Sequence, residues 1–234
     1  MSIINTNNKK QTNKDISIAD RQLFKESFTV CYLILFGTAL ITFIEALRNN
    51  NVHARHILNL ETAVSLIAGC VYGMFRDMTD KPDFNLKDII HYRYIDWALT
   101  TPLLLLVLLL FINFHSATNL HLSMYLLIFV LNYVMLWFGY MGEREIMDKR
   151  TAQTIGFLAF GTMLFVIYYF FLRKSRSIAP LILFIIFSIV WCAYGIAAEF
   201  DERTKNLMYN VLDIIAKVFI GLGLWCYYGG VISI

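Results

Sequence analysis

Charged residues are scarce in this chain. Asp, Glu, Lys and Arg make up 16% of its 234 residues, with a formal net charge of +3. Soluble domains average about 25%. A chain this poor in charge, 58% hydrophobic and with a mean hydropathy of +0.59, reads as a polytopic membrane protein rather than a soluble domain. No short apolar stretch with a small-residue cleavage site precedes the first long apolar run, so no cleavable signal peptide is expected. The four cysteines, Cys31, Cys70, Cys192 and Cys226, fall within apolar stretches and lack metal-type spacing. They read as small buried hydrophobes rather than disulfides, and no metal site is expected. The chain is expected to be neither an enzyme nor a nucleic-acid binder.

Long apolar runs are abundant instead. Windows able to cross ~30 Å of hydrocarbon recur over residues 28–47, 57–75, 89–114, 120–141, 154–172, 180–199 and 207–232. They leave no room for a separate soluble domain. The expected architecture is an all-α membrane protein, a seven-transmembrane-helix bundle over 27–234. It follows a polar tail over 1–26, with a short surface helix near 16–25. Its first partner is the lipid bilayer.

Two of these runs carry charge where charge is costly. Lys217 sits deep in the last one, with Asp213 four residues before it on the same helix face. An isolated charge near a bilayer centre costs roughly 2.5–3.5 kcal/mol on insertion scales, so such a lysine is a functional candidate by default. In a dry apolar pocket, sharing its charge with a carboxylate, it suits covalent attachment of an aldehyde. On this pair alone, a structural ion pair between helices is an equal reading. The third run opens with Arg93, Asp96 and Thr100, spaced by three and four on one face, where Thr100 can donate to Asp96. Polar groups in lipid face the bundle interior, so this face should meet that of Asp213 and Lys217.

These segments, RYIDWALTTPLLLL at 93–106, FGYMGEREIM at 138–147, WCAYG at 191–195 and NLMYNVLDIIAKVFIGL at 206–222, resemble the microbial (type 1) rhodopsins. The likeness is greatest to the proteorhodopsin-like branch with its viral members, and it covers all but the tail. The resemblance implies all-trans retinal in the core of the bundle, bound as a Schiff base to Lys217. Asp96 becomes the primary counterion and proton acceptor, Asp213 the second counterion, and Arg93 and Thr100 members of the same polar row. Trp97, Trp191 and Tyr194 become pocket walls, Thr101 and Leu104 further pocket residues, and Tyr72 a hydrogen-bond partner of Asp213. A leucine at the position of Leu104 goes with green absorption in proteorhodopsins. The resemblance also implies a homo-oligomer, a pentamer above all, with the N-terminus extracellular. Asp96 and Thr100 set the chain apart from chloride-type and sodium-type relatives.

The departures from the family pattern are informative. Pump relatives often carry a carboxylate eleven residues after the counterion, about 16 Å further along the helix; here that position is Val107. Gly195 replaces a common proline and Ala198 a common aromatic, which implies a looser pocket at the ring end of retinal. Glu61 is the substitute candidate for the missing proton donor. It shares a face with Ser65, Ala68 and Tyr72 in the second run, and the competing reading is an interfacial glutamate solvated by headgroups. Glu45 and Arg48 read either as snorkelling surface charges or as a pair lining a central opening in an oligomer. Arg173, Lys174 and Arg176 read as a cytoplasmic basic anchor. The Lys and Arg distribution opposes the family orientation, since the inner loops would hold only these three with Arg48 and Arg55. Two functions follow: a light-driven outward proton pump using protons as the transported ion, or a slow-cycling photosensor or light-gated channel with the same photochemistry.

Overall fold

Short polar side chains mark most of the helix starts. Ser17, Asn51, Asn85, Asp148 and Asp201 each accept a backbone N–H from the first turn that follows, filling donors that a helix N-terminus leaves unpaired. In the computed structural model these caps open α1 (Ile18–Arg48), α2 (Val52–Met78), α3 (Leu86–His115), α5 (Lys149–Phe170) and α7 (Glu202–Tyr228). The other two long helices are α4 (Leu122–Glu143) and α6 (Ala179–Ala197), the latter with Pro180 in its first turn. The structure describes residues 17–116, 121–175 and 177–232. Most of the polar tail, Leu120 and Arg176 lie outside the described residues, as does the side chain of Lys174.

Each helix packs on the next, and α7 returns against α1, so the seven form a closed ring. All seven are long and apolar enough to cross a membrane. The protein is therefore an integral multi-pass membrane protein, with exposed apolar side chains on its outer faces, such as Leu33, Leu40, Trp137, Leu158 and Ile189, turned to lipid. The core inside the ring is formed chiefly by α3, whose buried side is nearly continuous from Ile89 to Ile112.

Two helix boundaries differ from the hydropathy reading. The surface helix expected near residues 16–25 is continuous with the first span. It is tied to the α2–α3 turn, where Arg21 Nη1 donates to the carbonyls of Thr79 and Lys81 at 3.1 and 2.6 Å and Lys25 pairs with Asp80 at 2.6 Å. Helix α2 starts five residues before its apolar window, so Glu61 stands well inside the helix instead of one turn from its end. Hydropathy reports solvent preference; these ends are set by caps and tertiary contacts.

Two irregularities shape the interior. Pro102 has no N–H, which leaves the carbonyl of Ala98 without its helical donor. Tyr133 Oη from α4 donates to that carbonyl at 2.7 Å, as backbone groups in a membrane require. In α7, residues Ile214–Phe219 form a π turn around Lys217, a widened helix form frequent at functional sites.

Candidate retinal site

The charged faces of α3 and α7 meet in the middle of the ring. Lys217 Nζ lies 2.5 Å from Asp96 Oδ2 and 3.4 Å from Asp213 Oδ1, with all three side chains at most 2% exposed. The expectation of one cation facing two carboxylates holds, but the shorter contact is across the bundle to Asp96, not along the helix to Asp213.

The two carboxylates are held differently. Asp213 Oδ2 accepts from Tyr72 Oη at 2.7 Å, and Oδ1 accepts from Tyr194 Oη at 2.5 Å and Trp97 Nε1 at 3.4 Å. Arg93 Nη1 adds an ion pair to Oδ2 at 3.5 Å. Asp96 has Lys217 on Oδ2, while Oδ1 has no hydrogen-bond partner among the described residues. Thr100 was expected to donate to this carboxylate. Its hydroxyl donates instead to the backbone carbonyl of Asp96 at 2.9 Å, because in a helix the i−4 carbonyl is always within reach of a threonine hydroxyl.

Arg93 is 1% exposed and fully engaged. Nε donates to Asn206 Oδ1 at 3.1 Å, Nη1 to Tyr72 Oη at 3.1 Å, and Nη2 to Asn210 Oδ1 at 2.5 Å. Its guanidinium also stands over the rings of Tyr72, Phe75 and Tyr209 at 5.1–5.6 Å. Asn210 Nδ2 donates on to Ser27 Oγ of α1 at 2.7 Å. The sequence reading missed Asn206, Asn210 and Tyr209. The signal was there, since 206, 210, 213 and 217 recur at four, three and four on one face. Further out, Lys205 bridges Glu143 of α4 and Glu202 at 2.6 and 2.9 Å, another cluster the sequence reading passed over.

Beside Lys217 a cavity runs between α3, α4, α5, α6 and α7. Trp97, Thr101, Leu104, Trp191 and Tyr194 all line it. Trp97 is wedged edge-on between Tyr194 and Tyr209 at 5.3 and 5.0 Å, and Trp191 stacks on Phe160 at 6.1 Å. Thr101 is fixed from α4 by Asn132 Nδ2 at 2.9 Å. An apolar, aromatic chamber with one buried amine at its wall fits a long polyene aldehyde. Ala198 lines the same cavity, while at Gly195 no space is left. A Cβ there would collide with the ring of Phe157, which occupies the space the glycine leaves.

The remaining candidates separate. Glu61 is 0% exposed, so the headgroup-solvated reading is excluded, and neither carboxyl oxygen has a partner among the described residues. Val107 is buried in an apolar cluster with Ile57, Phe111, Ala179, Ile220 and Leu224. Glu45 is half-buried and accepts from Asn49 at 3.4 Å, while Arg48 is exposed. Arg173 caps the ring of Tyr169 at 4.5 Å.

A family model for bacteriorhodopsin-like proteins matches residues 23–229. The green-light absorbing proteorhodopsin of Gamma-proteobacterium EBAC31A08 is 28% identical over 226 residues, covering 85% of this chain and 84% of that protein. The crystal structure of viral rhodopsin OLPVRII superposes with a TM-score of 0.85 at 34% identity, covering 90% of this chain and 100% of that one. The match spans the whole ring of helices, including those whose charged faces meet at Lys217. The chain thus belongs to the bacteriorhodopsin-like protein family, as a microbial rhodopsin of the proteorhodopsin-like or viral kind.

Proposed function

We propose that this protein is a light-driven outward proton pump with all-trans retinal held covalently on Lys217. The observation that carries the reading is the asymmetry of the two carboxylates about that lysine. When bound, retinal supplies the light-driven isomerisation that re-aims the proton carried at Nζ. Asp96 Oδ2, at 2.5 Å, is within direct transfer distance, and its other oxygen has no competing donor among the described residues. Asp213 is already saturated by Tyr72, Tyr194 and Trp97, so it serves as the fixed counter-charge. Arg93 completes that charge balance on the side where α3 begins, which is the extracellular side in this reading.

Return of a proton falls to Glu61, the buried carboxyl on the other side of Lys217. Ser65, one turn along α2 toward Tyr72, is also fully buried and without a partner among the described residues, and supports a polar route along that face. A homo-oligomer, with the pentamer favoured by the resemblance, belongs to the same proposal. The deciding experiment illuminates cells containing the retinal-loaded protein and records external pH. Acidification that a protonophore abolishes supports the pump. A coloured, photoactive protein that leaves the pH unchanged would instead support the sensor or channel.

A further inference from the structure

The carboxyl of Glu61 stands directly against the backbone of α7. A Cβ added at Gly221 would lie 3.2 Å from Glu61 Oε2 and 3.3 Å from Thr38 Cγ2. At separations that short each neighbour must give by a few tenths of an ångström, and what holds it decides how readily it can. Thr38 is β-branched and stiff about its first torsion, and its hydroxyl is bonded to the carbonyl of Ile34 at 2.9 Å. Glu61 is reached through three side-chain torsions, the last of them soft, and its oxygens are bonded to nothing among the described residues. The carboxyl therefore yields first. Gly223, two residues on, has nothing within 4 Å of an added Cβ, so the close approach is particular to position 221.

Position 221 also matters for placement along α7. It lies four residues after Lys217, about 6 Å of helix rise. The carboxyl thus rests on α7 one turn beyond the backbone position that carries the amine. We propose that Gly221 is a positioning residue for proton return: by having no side chain, it seats the Glu61 carboxyl against α7, one turn inward of Lys217. This rests on the reading of Glu61 as donor.

The test compares flash-induced absorbance recovery in retinal-loaded wild type, Gly221→Ala, Glu61→Gln and the double variant. An unshifted dark visible band verifies that each protein folds and holds its chromophore. Gly221→Ala should slow recovery by about threefold or more in the wild-type background and add nothing in Glu61→Gln. Its recovery should also quicken as external pH falls, because solution protons replace those of the displaced carboxyl. Loosened packing would not bring that pH dependence. Glu61→Asp, which withdraws the carboxyl from α7 by one methylene without touching position 221, should slow recovery with the same pH dependence. Equal slowing by Gly221→Ala in both backgrounds, or wild-type recovery in Gly221→Ala or Glu61→Asp while Glu61→Gln is slow, overturns the positioning role. Wild-type recovery in Glu61→Gln overturns the donor reading, and this proposal with it.

Discussion

On the side of Lys217 toward the start of α3, polar groups are densely cross-linked: Arg93 alone bonds to Tyr72, Asn206 and Asn210, and Asp213 accepts from three side chains. On the other side Val107, Phe111, Ile220 and Leu224 close into an apolar cluster, and Glu61 is buried with neither oxygen paired among the described residues. A saturated network holds charge in one place, because moving any member breaks bonds to several others. A carboxyl without competing partners gives or takes a proton at lower cost. In the proposed pump, holding therefore falls to one half and exchange to the other, with Lys217 and the Asp96 oxygen that lacks a partner among the described residues at the boundary.

The largest effect should come from removing the residue both halves face. Lys217→Ala should give a colourless protein with retinal added. It should also lower thermal stability by about 3–5 kcal/mol, since two buried carboxylates lose their shared cation. Absorption spectra and thermal unfolding check both, and a normal visible band in this variant would sink the retinal assignment. Next, Asp96→Asn should abolish light-driven acidification and shift absorption to the red, because a negative charge beside the chromophore's nitrogen is gone. Retained transport would mean that Asp213, despite its three donors, is the acceptor, and the assignment of roles to the halves would fail.

A smaller effect is expected from the exchange half. Glu61→Gln should keep the wild-type colour but slow absorbance recovery about tenfold, or ~1.4 kcal/mol in barrier, with azide partly restoring the rate. Unchanged recovery across pH would show that protons enter from water through the apolar cluster.

The smallest effect concerns the outer rim, where a side-chain cap opens α7. Backbone N–H groups of Thr204 and Arg203 bond the carboxylate of Asp201 and keep it below the ordinary carboxylate range. A depressed value means that this stabilisation is present above the ordinary value of 3.8 and is lost as pH falls through the lowered one. Asp201→Asn keeps a good cap, so it should match wild type at neutral pH and lose less stability on acidification below pH 3.8. Thermal melts of both proteins at neutral and acid pH check this. An identical acid loss in both would remove the cap from the account.

Much of the site was legible because a membrane makes polar residues conspicuous. Lys217, Asp213, Asp96 and Arg93 stand out in apolar runs, and their spacing by three and four specifies a common face. Asn206 and Asn210 shared that face and were passed over because uncharged amides draw less notice. The hydroxyl of Thr100 was misdirected for a different reason: spacing shows which groups share a face, but not whether a hydroxyl chooses a side-chain oxygen or its own helix's carbonyl.

The sequence by itself determined seven membrane-spanning helices, an inward charged face on the third and seventh, and an apolar side chain at Val107, because hydropathy and helical period are properties of the chain. Only the tertiary structure decided the rest. It set Lys217 closer to Asp96 than to Asp213, paired the carbonyl freed by Pro102 with Tyr133, filled the space at Gly195 with Phe157, and buried Glu61 against Gly221. Each of these depends on a side chain from another helix, brought within a few ångströms by closure of the ring, and no local pattern along one helix contains that distance.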